Sequence, residues 1–329
     1  MDGEGLSGAP RAEEEAAMKF TIRIPMDIVD PVEFQNPEAV QAMAQAIERA
    51  GVDACYITDH PAPPAKWLEG GGHNALDPFV GLTFVAAVTK TLKLHTNLVV
   101  LPYRNPFLTA KSAATLDVLS GGRLILGVGG GYLKGEYDAL GADFAGRGAR
   151  MDEAIEVMKR AWSGEDVTIQ GANFNAAGIR PLPLPRQRPN PPIWVGGNSE
   201  RAMRRAATLC DGWSPFFVAG PMSKGVRTDE ITSLDDLKSK IGRLQDMREA
   251  AGRSGPFDIC MAPQRGLREC TRAEADRWLN DLGALAELGV NWSGCGAPHA
   301  ASRAEFLESL QWLGEEVLPK ARAVGAAGG

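Results

Sequence analysis

The chain has 329 residues, of which 44% are hydrophobic, and a formal net charge of −6 at pH 7. A barrel of alternating strands and helices of this length commonly forms a single domain. The acidic balance argues against a nucleic-acid partner, and without a run of 18 apolar residues the sequence predicts no membrane span. The amino terminus lacks the basic and apolar regions of a secretory signal, so we expect a cytoplasmic protein.

The two ends of the chain differ in composition from its middle. Residues 1–17 are rich in Gly, Ala and Glu without periodicity, and we expect them to form a disordered leader. A single folded domain is then predicted for residues 18–323, followed by a flexible tail at residues 324–329.

Eight short apolar runs alternate with eight helical patterns inside that domain. The runs predict strands at residues 20–25, 54–58, 92–101, 124–128, 192–196, 212–216, 257–261 and 290–294. The helical patterns cover residues 37–50, 78–89, 106–119, 149–162, 200–210, 234–251, 271–288 and 303–322. The runs are apolar almost throughout, which favours parallel strands covered on both faces. We therefore predict an α/β fold of the (β/α)₈ TIM-barrel type, with an open doubly wound sheet as the alternative.

Two stretches interrupt the alternation. Residues 166–192 are rich in Pro and Gly and contain a short β-like run, Val167–Gln170, which predicts an insertion before the fifth barrel strand. Residues 219–233 form a long polar stretch after the sixth strand. That stretch is either a lid or substrate loop, or a surface insertion without a role.

Polar residues gather at the predicted carboxyl ends of the strands, where TIM-barrel enzymes place their active sites. Asp59 and His60 follow the second strand. His60 is a candidate acid or base because histidine titrates near neutral pH, and a structural histidine is the alternative. We interpret His95 as structural and expect His73 and His299 to be solvated loop residues. No paired histidine or carboxylate motif typical of a metal site is present, so no metal is predicted.

Two glycine clusters follow the fourth and fifth predicted strands. Residues 196–199 (Gly-Gly-Asn-Ser) precede a predicted helix, whose free N–H groups favour an anion such as phosphate; an ordinary capped turn is the alternative. Residues 127–131 (Gly-Val-Gly-Gly-Gly) fail the GxGxxG dinucleotide pattern because position 132 is Tyr132. We therefore expect a flat wall for a planar cofactor there, and we disfavour a Rossmann-type dinucleotide site.

Several longer motifs carry a family resemblance. They are LDVLSGGR at 116–123, LGVGGG at 126–131, Glu136-Tyr137, PIWVGGNS at 192–199 and DGW at 211–213, with Arg147, Arg150 and Trp162. Together they resemble the luciferase-like monooxygenase superfamily from about residue 18 to residue 213. The pair Asp59-His60 is similar to its F420-dependent oxidoreductase branch. The resemblance implies a (β/α)₈ barrel with an insertion, and either coenzyme F420 or reduced FMN as cofactor.

The resemblance also implies a cofactor site, for which we favour F420 with FMN as the alternative. Its residues in this chain would be Asp59, Asn97, Leu98, Gly129, Gly130, Gly131, Gly196, Gly197, Asn198 and Ser199. Among them, Asn97-Leu98 is expected to be a non-prolyl cis peptide behind the ring. His60 matches an active-site histidine of F420-dependent sugar-phosphate dehydrogenases. Tyr132 stands where those enzymes have a catalytic glutamate, which disfavours sugar-phosphate chemistry.

The implied reaction is hydride transfer between C5 of F420 and a small organic substrate. His60, held by Asp59 or by backbone groups, would act as acid or base, and Tyr132 is a second catalytic candidate or a packing ring. Trp67, Tyr103 and Trp213 are candidate substrate walls. An FMN-dependent two-component monooxygenase and a non-catalytic flavin- or deazaflavin-binding protein are the alternatives.

Three kinds of partner follow from the same resemblance. The first is the small-molecule substrate, and the second is a reductase that supplies reduced flavin or reduced F420. The third is another copy of the chain, because relatives commonly pair their barrels through the second and third helices. Neither a nucleic acid nor a membrane is expected.

Overall fold

A computed structural model describes residues 17–25, 31–298, 300 and 302–326 of the protein. Residues 1–16 of the predicted leader, residues 327–329 of the predicted tail and His299 lie outside the described residues. The last helix continues to Ala326, so residues 324–326 of the predicted tail are helical.

The described residues form a parallel barrel. The strands are β1 (Lys19–Arg23), β2 (Ala54–Ile57), β3 (Lys93–Val100), β4 (Leu124–Gly129), β5 (Val167–Gln170), β6 (Asn175–Ile179), β7 (Ile193–Gly196), β8 (Gly212–Ser214), β9 (Asp258–Ile259) and β10 (Trp292–Gly294). Eight of them hydrogen-bond in the order β10-β1-β2-β3-β4-β7-β8-β9. A parallel bridge between Cys260 and Trp292 joins the two ends of this sheet. The TIM-barrel prediction is therefore confirmed, and the open sheet is wrong.

The two remaining strands, β5 and β6, form the predicted insertion. They pair antiparallel as a hairpin between β4 and β7, and β5 has the bounds of the predicted β-like run. The carboxylate of Glu153 accepts hydrogen bonds from the backbone N–H groups of Asn173 and Phe174 in the hairpin turn. These bonds attach the insertion to the helical layer around the barrel.

Helices surround the barrel, and short helices also lie within several of the connecting loops. They are α1 (Pro31–Phe34), α2 (Pro37–Arg49), α3 (Ala65–Glu69), α4 (Pro78–Val88), α5 (Pro106–Ser120), α6 (Lys134–Ala139), α7 (Arg147–Ala161), α8 (Glu200–Leu209), α9 (Gly220–Gly225), α10 (Leu234–Ala250), α11 (Arg272–Ala286), α12 (Arg303–Trp312) and α13 (Leu318–Ala326). A 3₁₀ turn covers Leu101–Tyr103, and a π-helical turn, Leu313–Val317, joins α12 to α13. Several long helices begin at side-chain caps such as Asp77, Asn105 and Ser199, which satisfy the first free N–H groups.

Four short helices were not predicted: α1, α3, α6 and α9. The last lies in the loop 219–233, where Val218 and Ile231 also form an antiparallel bridge. This loop is therefore more ordered than the sequence predicts. Helices α3 and α6 follow β2 and β4 directly, so they sit at the end of the barrel where function is expected.

His95 lies inside the barrel. Its side chain is fully buried, its ring centroid lies 4.9 Å from that of Trp194, and its Nδ1 lies 3.5 Å from Oγ1 of Thr21. Burial lowers its pKa to about 3, so the ring is neutral at working pH. These contacts agree with the structural interpretation of His95.

Candidate active site

A cavity of about 400 Å³ opens at the carboxyl ends of the barrel strands, and we call it the mouth cavity. Seven of the residues expected at the site line it: Asp59, His60, Asn97, Leu98, Tyr132, Gly196 and Gly197. They come from loops and strand ends after β2, β3, β4 and β7. The barrel therefore gathers residues that are far apart in sequence.

His60 faces a carboxylate to which the sequence analysis gave no role. Its Nδ1 lies 3.5 Å from Oε1 of Glu136, and the two side chains are 10% and 3% exposed. Neither atom has another hydrogen-bond partner among the described residues. Glu136 lies on α6, directly after the glycine turn of β4. A carboxylate beside an imidazole can orient the ring for proton transfer, so the pair is the candidate acid–base group beside the cavity.

Two aromatic side chains from the loop after β2 pack on His60. The ring centroids of Trp67 and His60 are 4.6 Å apart, and His73 meets His60 edge-on at 4.9 Å. Nε2 of His73 lies 3.1 Å from Oγ1 of Thr58, and both of these residues line the mouth cavity. The prediction of a solvated His73 is therefore wrong. The short helix α3 brings this part of the loop back over the barrel.

Asp59 lines the mouth cavity but does not hold His60. Its buried carboxylate accepts hydrogen bonds from Nη2 and Nε of Arg104, at 2.6 and 3.1 Å, and from the N–H of Val100 at 3.0 Å. Burial raises the pKa of Asp59, against the lowering effect of Arg104. The expected support of His60 by Asp59 is wrong, because this carboxylate instead connects the loop after β2 to the end of β3.

The peptide bond between Asn97 and Leu98 is cis, as the resemblance implied. The register of β3 against β4 shifts at this point, and the side chain of Leu98 lies across the barrel mouth. A Cβ atom on Gly196 would lie 2.3 Å from Cδ1 of Leu98, and one on Gly129 would lie 2.9 Å from the same atom. These two glycines therefore make room for Leu98. A contact between the strand-4 glycines and a cofactor ring stays a prediction.

An adjoining cavity of about 410 Å³ is basic, and we call it the basic cavity. Gly129, Gly130 and Gly131 line it, and it shares Leu98, Val100, Tyr132, Gly196, Gly197 and Phe216 with the mouth cavity. Its described lining contains no acidic side chain. It also contains four arginines: Arg147, Arg201, Arg205 and Arg227.

The arginines of the basic cavity differ in their surroundings. Arg205 is buried, pairs with Asp152 and donates a hydrogen bond to the carbonyl of Gly148 at 2.8 Å. Burial lowers the pKa of Arg147, and the other three guanidinium groups lower it further. Arg205 is neutralised by Asp152, but in the described lining no carboxylate accompanies Arg147, Arg201 and Arg227, and their positive charge favours a bound anion. This cluster leaves no local pattern in the sequence, because its members come from α7, α8 and the loop after α9.

The predicted anion turn at residues 196–199 lies between the two cavities. Ser199 lines the basic cavity, and its hydroxyl caps α8. Asn198 is fully buried: its amide is hydrogen-bonded to backbone groups of residues 216 and 229, and its N–H donates to Oγ1 of Thr228 at 2.8 Å. A ligand contact by Asn198 is therefore wrong, because its side chain and N–H are already used to hold the following loops.

The three predicted substrate walls lie in different surroundings. Trp67 packs on His60 beside the mouth cavity. Trp213 is fully buried, and its Nε1–H donates to the carbonyl of Gly197 at 2.8 Å. Tyr103 packs edge-on against Tyr137 at 5.1 Å and lines neither the mouth nor the basic cavity. The substrate-wall prediction is therefore wrong for Trp213 and Tyr103, and it remains a prediction for Trp67.

Five residues with hydroxyl groups line the mouth cavity, and two of them, Tyr132 and Ser214, are candidate donors to a ligand. The ring of Tyr132 lies 6.3 Å from that of His60 between centroids, and Tyr132 lines both cavities. Burial raises the pKa of Tyr132 and the charge of Glu136 raises it further, so the phenol stays protonated near neutral pH. Oγ of Ser214 is buried and has no hydrogen-bond partner in the described part of the chain. Both hydroxyl groups can donate to a ligand; a catalytic role of Tyr132 stays a prediction.

The described residues contain neither a metal-binding cluster nor a membrane-spanning helix. No group of three His, Cys, Asp or Glu side chains there could hold a metal ion. No helix in the same residues is long and apolar enough to cross a membrane.

The sequence model of the luciferase-like monooxygenase family matches residues 18–277, and the chain belongs to this family. An uncharacterized protein of Mycobacterium tuberculosis is 34% identical over 230 residues, which is 66% of this chain and 74% of that protein. An F420-dependent glucose-6-phosphate dehydrogenase of Microbacterium testaceum is 31% identical over 205 residues, or 60% and 58% of the two chains. The oxygenase component of a flavin-dependent trigonelline monooxygenase of Acinetobacter baylyi is 34% identical over 186 residues, or 54% and 48%.

Solved structures share the same fold. Monooxygenase RslO1 from Streptomyces bottropensis superposes with a TM-score of 0.73 at 22% identity, over 92% of this chain and 99% of its own. An F420-dependent tetrahydromethanopterin reductase from Methanopyrus kandleri gives a TM-score of 0.70 at 18% identity, over the same shares of the two chains. The family places the protein among oxidoreductases and monooxygenases.

Proposed function

We propose that the protein transfers hydride between coenzyme F420 and a small organic substrate in the mouth cavity. One observation carries the proposal: the cavity beside the His60–Glu136 pair adjoins a cavity lined by four arginines and shares six lining residues with it. A planar ring in the first cavity and an anionic side chain in the second match the two halves of a deazaflavin cofactor. An F420-dependent relative among similar sequences supports the same cofactor.

The residues present fit such a cofactor. Arg147, Arg201 and Arg227 would take the phosphodiester and carboxylate groups of its side chain, near the N-terminus of α8. The hydroxyl of Ser214, which is buried and has no hydrogen-bond partner among the described residues, would bind a polar edge of the ring. Leu98 would support the ring from below, since it lines both cavities.

When bound, the cofactor supplies or accepts a hydride at C5. His60 would give a proton to a carbonyl oxygen as the hydride reaches the carbonyl carbon, and it would take the proton back in the reverse direction. One hydride and one proton together convert a ketone to a secondary alcohol. Glu136 would stabilise the protonated imidazole, while Trp67 and His73 hold the ring of His60 and exclude water from it.

The variant His60→Asn tests this assignment. It should reduce kcat by about 100- to 10,000-fold, the range expected for a lost acid or base. The dissociation constant for F420, measured by fluorescence quenching, should stay within twofold of the wild-type value because the arginines are untouched. Loss of F420 binding with normal turnover of the bound fraction would refute the role of His60.

An FMN-dependent monooxygenase is the second candidate. The flavin-dependent relative supports it, and a phosphate monoester also fits the basic cavity. Parallel titrations with F420 and FMN separate the two: tight binding of FMN without binding of F420 would replace the first proposal with the second. A protein that only binds the cofactor is disfavoured by the buried His60–Glu136 pair, which such a protein does not need.

We also propose that two copies of the chain pair through α4 and α5, which are the second and third of the predicted helices. These neighbouring helices carry exposed apolar side chains, among them Val80 and Leu108, which are 72% and 71% exposed. Patches of this kind on a soluble protein commonly mark an interface. Light scattering after gel filtration should give twice the chain mass, and the double variant Val80→Asp, Leu108→Asp should give a monomer. A monomeric wild type at micromolar concentration would contradict the pairing.

A cytoplasmic location and a partner reductase that renews the reduced cofactor belong to the proposed function as well.

A further inference from the structure

A third cavity, of about 680 Å³, adjoins the mouth cavity at the carboxyl ends of β1, β9 and β10. It shares Tyr56, Ala262 and Gly294 with the mouth cavity. In the described part of the chain it shares no residue with the basic cavity. The mouth cavity therefore has a basic neighbour along one part of its wall and this third cavity along another.

The walls of the third cavity are mostly apolar, and we call it the apolar cavity. They include the buried side chains of Ile22, Trp278 and Phe306. The described lining of the apolar cavity contains one basic side chain, Arg23, which already interacts with another group of the protein. The same described lining contains no acidic side chain. Nε1–H of Trp278 is buried without a hydrogen-bond partner among the described residues. The lining suits a hydrocarbon skeleton that offers at most an occasional hydrogen-bond acceptor.

We propose that the apolar cavity receives the part of the substrate that is distant from the reacting carbon. The substrate is then a neutral, mainly apolar ketone or secondary alcohol with a skeleton too long for the mouth cavity alone. This inference rests on the proposed function, because it takes the mouth cavity as the place of hydride transfer.

The charges around the cavities point to the same substrate class. The described lining of the mouth cavity contains no lysine or arginine, so a phosphate group on the substrate would meet no fixed cation there. The arginines lie in the basic cavity, where the cofactor side chain would use them. A sugar phosphate is therefore a poor match, although three relatives of this chain are named for such a substrate.

A homologous series of ketones tests the inference on the wild-type holoenzyme. The series runs from acetone to 2-decanone, with reduced F420 as hydride donor and its reoxidation followed by absorbance. Burial of each further methylene group should raise kcat/KM by roughly threefold until the apolar cavity is full. A rate that is flat or falls with chain length would overturn the inference.

The variant Gly296→Leu narrows the apolar cavity without touching the other two. Of the three cavities, Gly296 lines the apolar cavity alone, and a Cβ atom there would meet no atom of the described residues within 4 Å. The matched control is Gly242→Leu on α10, where a Cβ atom also meets open space. Gly296→Leu should reduce kcat/KM for 2-decanone at least tenfold and for acetone less than twofold. The control should change neither value. An equal loss for both ketones, or no loss, would overturn the inference.

Two measurements separate this inference from the proposed function. If F420 does not bind the wild type, the proposed function fails, whereas F420 binding without a chain-length effect removes only the inference. Calorimetric titration of 2-decanone into wild type and Gly296→Leu tests the cavity without turnover. At least tenfold weaker binding to the variant supports the inference, and equal binding contradicts it.

Discussion

Replacement of Glu136 by glutamine removes the charge beside His60 and keeps the shape of the side chain. Oε1 of Glu136 lies 3.5 Å from Nδ1 of His60, and both side chains are nearly buried. At an effective dielectric constant of about 20, two unit charges about 4 Å apart attract each other by about 4 kcal/mol. Part of this attraction stabilises the protonated imidazole that donates the proton. We therefore expect Glu136→Gln to lower kcat by about 30- to 1,000-fold, equivalent to about 2–4 kcal/mol in the activation free energy.

The assay is single-turnover oxidation of reduced F420 with a saturating ketone, which reports the chemical step directly. Asp138→Asn is the matched control, because Asp138 lies on the same helix and its pair with Lys134 is exposed. The control should leave the rate unchanged, and both variants should bind F420 as the wild type does. A Glu136→Gln rate within twofold of wild type, with His60→Asn strongly impaired, would refute the role of Glu136.

Three further predictions concern the cofactor site and stability. Arg227→Gln should weaken F420 binding about fivefold at low salt and less at 0.5 M NaCl, because an exposed charge contact is screened by salt; a salt-independent loss would argue against an anion there. Gly196→Ala should lower the free energy of unfolding by about 1–3 kcal/mol and weaken cofactor binding, because its Cβ would lie 2.3 Å from Leu98; urea unfolding and quenching titration would show neither effect if Leu98 adjusts freely. Burial raises the pKa of Glu48, but hydrogen bonds from Thr91 and the neighbouring backbone N–H groups outweigh burial and lower it to about 2. Its stabilisation is therefore full above about pH 4.5 and is lost as the pH falls towards 2. Glu48→Gln should cost about 1–2 kcal/mol at pH 7 and less than half as much at pH 3, and an equal cost at both pH values would contradict this origin.

The barrel could be predicted from the sequence because each barrel strand is a mostly apolar run and each long helix has a recognisable helical pattern. The same alternation placed His60, Asn97 and Gly196 at the strand ends that form the mouth cavity. Glu136 was given no role and His73 was expected to be solvated. Glu136 lies on the short helix α6, and His73 lies shortly after the short helix α3. These helices have too few turns to leave a periodic signal.

The errors at Trp213 and Asn198 have a different physical origin. Successive side chains of a strand point to opposite faces, and because Ser214 lines the mouth cavity, Trp213 must point away from it. The alternation of side chains along the strand therefore predicts the direction of Trp213 as soon as Ser214 is placed at the cavity. The partners of Asn198 are backbone groups of two later loops, and no local pattern identifies them. The basic cavity was missed for the same reason, since its arginines meet only after folding.

Isotope tracing tests the central claim most directly. Reduced F420 carrying deuterium at C5 is mixed with the enzyme and 2-decanone under ¹⁸O₂, and the product is analysed by mass spectrometry. Hydride transfer from F420 to a ketone predicts one deuterium atom at the carbinol carbon and no ¹⁸O in the product. A product that contains ¹⁸O and no deuterium, formed only when FMN replaces F420, would contradict the account.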